Sequence, residues 1–204
     1  MPGPIVERGD RVTLRTAEKG DAAFLQRAST DPDIRYPLGT VSPHAKHEVE
    51  EYIEEGDDDD GVQFLVCLDG PDAPTGHPDE EEEDAIEPIG AVMANHVDWD
   101  RPSLAWWLLP ERQGEGYGRE AATLFLDHLF RTYDVHGLSA DAYDFNEASQ
   151  GLLESLGFTR EGRGREVRFV DGEYRDAVNF GILRREWEER RSDAEDGEAS
   201  DRIE

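Results

Sequence analysis

The stretch 105–121, AWWLLPERQGEGYGREA, governs how the rest of the chain is read. An apolar run ends at Pro110. Three glycines (Gly114, Gly116, Gly118) then fall within five positions, and AATLFLDHLF follows at helical spacing. The pattern predicts a strand, a glycine turn and a helix in direct succession. A helix starting near Gly116 leaves its first amides without internal partners, and its dipole favours an anion there. Glycines let those amides approach a ligand with no Cβ in the way. The bland alternative is an ordinary strand-to-helix turn. The loop lacks the Lys-Ser/Thr of a P-loop and comes late in the chain for a dinucleotide fingerprint.

An anion site is unexpected in so acidic a protein. The chain carries 49 Asp+Glu against 21 Lys+Arg, a formal charge of −28, and its only lysines are Lys19 and Lys46. Local backbone donors, with Arg112 and Arg119 beside them, can hold an anion whatever the net charge. The acidic surface argues against nucleic acid as a partner, since phosphates would be repelled. A disordered acidic chain is opposed by the regular apolar segments and the four tryptophans. Acid on every segment with almost no lysine points to a halophilic protein. At molar salt the Debye length is about 3 Å and self-repulsion is largely screened. Cys67 stands alone in VQFLVCLD and reads as core. No run approaches the roughly 18 apolar residues of a membrane span. The start, MPGPIVERGD, lacks the apolar stretch of a signal peptide. A soluble, cytoplasmic protein with no membrane partner is expected.

Working outward from the glycine turn, RVTLR (11–15) alternates as a strand, and 18–28 reads as a helix stopped at Asp31-Pro32. A polar helix is predicted over 43–55 and a strand over 62–68. Residues 69–88 are rich in proline and acid and read as an inserted loop. Strands follow at 89–99 and 103–109, then a helix over 116–133 and a strand over 137–144. A short helix over 146–156 has Asn146 as N-cap and Gly157 as its stop. Segments 164–170 and 174–187 form a hairpin around Asp171-Gly172. Residues 1–10 read as an N-terminal extension, 11–187 as the domain, and 188–204 as an acidic, disordered tail. The fold class is α+β (mixed α/β), with a largely antiparallel central sheet flanked by helices.

Residues 113–118, QGEGYG, fit Q-x-x-G-x-G, the acyl-CoA pyrophosphate motif of the GNAT N-acetyltransferases. The pieces VTLRTAEKGD, AWWLLPERQGEGYGREA, NEASQGLLESLGFTREG and DGEYRDAVNFGILRREW occur in that family's order, over about 11–187. Together they resemble the RimJ/RimL branch, the ribosomal-protein N-terminal acetyltransferases and their relatives. The resemblance implies the GNAT acyl-CoA N-acyltransferase fold. It also implies acetyl-CoA as cosubstrate, no metal, and direct transfer of acetyl to a primary amine in a ternary complex. The acceptor would be a protein N-terminus, or a small amine. A non-catalytic acyl-CoA-binding regulatory module is the alternative of another class. A homodimer is compatible with the resemblance.

The same resemblance implies the site. The strand before the loop would part from its neighbour, and pantetheine would lie against the backbone of Trp107, Leu108 and Leu109. Gln113, Gly114, Glu115, Gly116, Tyr117, Gly118 and Arg119 would cradle the pyrophosphate. Asn146 and Ser149 match the family's N-x-x-S, with Asn146 against the pantetheine arm and Ser149 donating a proton to the thiolate. Asn146 could equally be a cap and Ser149 an ordinary first-turn residue. The tyrosine that many members carry further along is absent, which leaves Tyr143 as a reserve donor. Glu166 is the candidate base, aligned with Arg168 on one strand face if alternation holds. His96, paired with Asp98 in the same way, and water are the other routes for the proton. Cys67 need not be a nucleophile. Trp106 and Trp107 should face opposite sides of the sheet, and a turn at Arg35-Tyr36-Pro37 would border the acceptor.

Overall fold

The computed structural model describes residues 1–40, 42–55, 61–70, 72–79 and 85–201. Eight strands form one sheet: β1 (Ile5–Arg8), β2 (Thr13–Arg15), β3 (Val62–Asp69), β4 (Ile86–Asn95), β5 (Ser103–Leu108), β6 (Gly137–Tyr143), β7 (Thr159–Val170) and β8 (Glu173–Leu183). Their spatial order is β1-β2-β3-β4-β5-β6-β8-β7. Every neighbouring pair is antiparallel except β5 and β6. A parallel pair needs a crossover, and α5 (Tyr117–Thr132) supplies it.

The helices divide between the two faces. Strand alternation sends Phe64 and Val66 to one side, where they meet Ala122, Phe125, Leu126 and Leu129 of α5 and Leu153 and Leu156 of α6 (Glu147–Leu156). Leu65 and Cys67 point to the other side. There they meet Ala22 and Leu25 of α1 (Ala22–Leu25), Ile34 of α3 (Pro32–Leu38) and Val49 of α4 (Lys46–Glu55). A short α2 (Arg27–Thr30) links α1 to α3. Trp106 packs on the α5 side and Trp107 on the α1–α4 side, as alternation requires. Burial pushes the Cys67 thiol up, well out of the range of a thiolate nucleophile. Among the described residues no helix is long and apolar enough to cross a membrane.

Several boundaries differ from the sequence expectation, each for a tertiary reason. The segment 1–10 holds β1, whose Ile5 amide donates to the Thr75 carbonyl (3.1 Å). Asp31-Pro32 does end a helix, α2, with Asp31 extended as its C-cap, but it also begins α3, with Asp31 accepting from the Asp33 amide and Pro32 in the first turn. Arg35, Tyr36 and Pro37 are therefore helical. The loop at 69–88 is shorter than its composition suggests: Asp69 closes β3, and Ile86–Pro88 already belongs to β4. Asp69 is clamped by fully buried Arg15 (Nε to Oδ1 3.1 Å, Nη2 to Oδ2 2.9 Å) and by Thr13 (2.9 Å). Arg15 also donates to the Pro74 carbonyl (2.6 Å), tying the loop to the domain. Residues 71 and 80–84 lie outside the described residues.

The expected disordered tail is replaced, through Asp201, by α7 (Arg184–Asp201). Its first turns dock. Arg184 donates to the carbonyls of Val135, Phe130 and Tyr133 at the end of α5. Trp187 is buried and its indole donates to Asp127 (2.9 Å), and Arg190 reaches the Ser155 carbonyl (2.6 Å). A charged composition hides this docking because one tryptophan and two arginines carry it.

Candidate active site

The decisive local feature is the way β5 leaves β6. Their ladder contains only Ser103↔Ser139 and Leu104↔Ala140. Across its other edge β5 stays paired to β4 through Leu108↔Gly90, and β6 stays paired to β8 through Tyr143↔Ala177. From Ala105 onward the facing edges of β5 and β6 are thus unpaired with each other. Backbone N–H and C=O groups in such a gap need partners, and an extended, amide-bearing ligand can supply them.

The glycine turn sits at the open end. Gly114 (φ 79°) and Gly116 (φ 88°) are both left-handed, a region that L side chains occupy only with strain. A Cβ on Gly114 would project into open space, and one on Gly116 would come to 3.0 Å from Arg11 Nη2. Gly116 is the N-cap of α5 and makes no side-chain cap. Glu120 is the first amide of the helix to reach back, to the Gly116 carbonyl (3.2 Å). The amides before it have no acceptor within the helix and are potential anion donors. Gln113 folds inward, its Nε2 donating to the Leu108 carbonyl (3.0 Å).

Two residues that sequence reasoning passed over hold this loop. Arg11 donates from Nη1 to the Glu115 carbonyl (2.9 Å) and from Nε to Glu120 Oε2 (2.9 Å), and its guanidinium lies over the Tyr117 ring. Glu120 Oε1 accepts from the amides of Arg11 (2.7 Å) and Val12 (3.2 Å). Burial alone would raise the Glu120 carboxyl, but these hydrogen bonds outweigh it and hold the carboxyl below its ordinary value. The only sequence signal was an arginine two residues before β2 and a glutamate one turn into α5, which is too common to single out. Arg112 is committed elsewhere, to Glu87, and that pairing raises its pKa. Arg119 is exposed.

Asn146 is the N-cap of α6, its Oδ1 accepting from the Ser149 amide (3.1 Å). The Ser149 hydroxyl has no hydrogen-bond partner among the described residues. Tyr143 is enclosed: it stacks on Phe145 (5.7 Å), packs with Val170, Ala177 and Tyr36, and presses its hydroxyl against Gly39. Trp107 stacks on Phe24 (5.2 Å), and its buried Nε1 has no partner among the described residues. Leu109 is buried and its amide donates to Ile89 (2.8 Å).

The base candidates are not drawn into this group. Glu166 has φ 52° inside a bulge of β7, between the register positions Gly164 and Arg168, so alternation does not align it with Arg168. It is exposed, its amide donates to Asp176 (2.8 Å), and β8 stands between its strand and β6. His96 lies beyond the end of β4 with φ 59° and stacks on exposed Trp99 (4.2 Å). The strand face it was to share with Asp98 does not exist.

The family model described as "Acetyltransferase (GNAT) domain" matches residues 11–159. The chain belongs to the GNAT acetyltransferase family. It is an acetyl-CoA-dependent N-acetyltransferase. An uncharacterized N-acetyltransferase of Bacillus subtilis, YokL, is 25% identical over 88% of this chain and 94% of its own. A spermidine N(1)-acetyltransferase of Vibrio cholerae is 25% identical over 85% of this chain and 93% of its own. A [ribosomal protein uS5]-alanine N-acetyltransferase of Escherichia coli is 33% identical, but over 37% of this chain and 39% of its own. The solved Vibrio cholerae spermidine N-acetyltransferase, in complex with CoA and spermine, shares the fold: TM-score 0.73 at 24% identity, covering 88% of this chain and 99% of that one.

Proposed function

We propose that this GNAT acetyltransferase acts on the α-amine of a protein N-terminus, and that the β5–β6 gap and the 113–119 loop hold acetyl-CoA. The observation that carries the cofactor assignment is the two-residue ladder between β5 and β6, which opens toward two left-handed glycines at the start of α5. In this reading the pantetheine arm lies along Trp107, Leu108 and Leu109, beside Asn146. The pyrophosphate meets the amides of the loop. The unprotonated amine attacks the thioester carbon, the C–S bond breaks, and the thiolate takes a proton from Ser149, which recovers one from solvent as the nitrogen releases its own. Tyr143 is the reserve donor. The nitrogen loses its proton to water, because Glu166 stands off on the edge strand. The protein-terminus acceptor rests on the likeness to the uS5-alanine enzyme. A polyamine acceptor is the second reading, favoured by the longer match to the Vibrio cholerae spermidine enzyme.

We further propose a cytoplasmic, salt-rich working medium, on the charge of −28 with two lysines, and a domain bounded by about residues 11–187 with the acidic loop as an insertion. The test of the function is an acetyl-CoA turnover screen at high salt, with peptides of varied N-termini set beside spermidine and free amino acids. Turnover of a peptide α-amine is expected. Turnover of spermidine alone would overturn the proposed acceptor in favour of the polyamine.

A further inference from the structure

The sheet leaves one polar surface that the catalytic assignment above does not use. On β6, Leu138, Ala140 and Ala142 point into the core against α5 and α6. The alternate residues Ser139, Asp141 and Tyr143 therefore face the α1–α4 side. Across the ladder Asp141 pairs with Asn179 of β8, and both are solvent-exposed. Tyr143, one register step further, is covered by Tyr36 of α3 and by Val170. The helices on this face thus stop short of Asp141 and leave an open trough along β6 and β8.

The position of Asp141 along β6 is specific. The last pair between β5 and β6 is Leu104↔Ala140. Asp141 is the next residue, so its carboxylate stands at the vertex where the two strands part, on the face opposite the main core. A thioester lying in the gap with its acyl end toward the vertex would bring its carbonyl carbon beside this carboxylate.

Arg168, from the far hairpin, exerts a downward pull on the Asp141 carboxyl. Desolvation is the larger influence and leaves the carboxyl above its ordinary value. Arg101, which would lie against any Cβ on Gly181, closes the other end of the trough and pairs with Glu161 (2.9 Å). Arg35 of α3 has a buried Nε with no partner among the described residues, and its guanidinium covers the Tyr36 ring at 4.6 Å. A buried donor of this kind seeks an oxygen. A peptide α-amine offers one ammonium followed by carbonyl oxygens.

We infer that Asp141 binds the ammonium of the acceptor at the β5–β6 vertex, before the nitrogen gives up a proton to solvent and attacks. This rests on the proposed function and adds its acceptor-binding residue.

Steady-state kinetics on the full chain test it, with an alanine-initiated hexapeptide and spermidine as acceptors. For the hexapeptide, Asp141→Asn is expected to raise KM at least about tenfold, as loss of a charge partner does, and to leave KM for acetyl-CoA unchanged. Asp141→Glu is expected to restore part of the loss. A hexapeptide KM within about twofold of wild type in Asp141→Asn, or an equal rise in both KM values, would overturn the role of Asp141. No turnover of either amine by wild type, with acetyl-CoA still bound in calorimetry, would sink the proposed acceptor reading and this inference with it.

Discussion

Gly116 carries the strongest single-residue constraint in the proposed cofactor site. Its φ of 88° costs a side-chain-bearing residue roughly 1–2 kcal/mol. A branched side chain there would also press on Arg11, whose guanidinium would be 3.0 Å from the new Cβ. Gly116→Val should therefore abolish measurable acetyl-CoA binding in calorimetry while the circular dichroism spectrum stays native. Unchanged affinity in a folded variant would remove the pyrophosphate from this loop. Ser149 and Tyr143 make a second contrast. Ser149→Ala should lower kcat by about a hundredfold if the hydroxyl acts as general acid, with little change in acetyl-CoA affinity, because the interaction matters chiefly in the transition state. Tyr143→Phe should leave kcat nearly intact, since that hydroxyl is packed against Gly39. The reverse pattern would transfer the role to the tyrosine.

Among the elements, the seam between β2 and the loop after β3 depends on one buried ion pair. Arg15 is fully buried and Asp69 nearly so, and the arginine's donors are met by Asp69, Gly3 and Pro74. Removing one member of such a pair strands a buried charge, at a cost of about 3–5 kcal/mol. Asp69→Ala should lower the urea midpoint by that order, whereas a cut confined to residues 77–84 should leave it close to wild type. A midpoint unchanged by Asp69→Ala would show that the pair is dispensable. Elements were legible from sequence where their signals are local. The periodicity of α5, the Asn146 cap and Gly157 stop of α6, and the Asp171-Gly172 turn (φ 48° and 86°) all lie within a few residues of what they specify. The β7 bulge at Glu166 and the left-handed His96 were not legible, and both undid a face assignment made by strict alternation.

For the whole molecule, the charge of −28 sets the question of stability. Many of the described ion pairs are surface contacts, worth little singly, and they cannot offset the unpaired acid. Screening should do so. The melting temperature is expected to rise steeply between about 0.1 M and about 3 M potassium chloride, as the Debye length falls from about 10 Å to below 3 Å. Equal melting temperatures across that series would refute the salt-requiring reading.

The sequence alone determined the helical face of α5, the cap and stop of α6, where the glycine turn stands, and that the chain resembles an acetyltransferase. Those are statements about neighbours in the chain, and periodicity, caps and motifs record them. Only the tertiary structure decided what joins distant positions. Arg11 meets Glu120 across 109 residues and Arg15 meets Asp69 across 54. The parting of β5 from β6, which gives the carboxylate of Asp141 its position at the vertex, is a property of two strands and the crossover between them. No spacing encodes such contacts, because each requires the sheet to close first. A lone acid on a strand then reads as ordinary surface until the ladder beside it is seen to end.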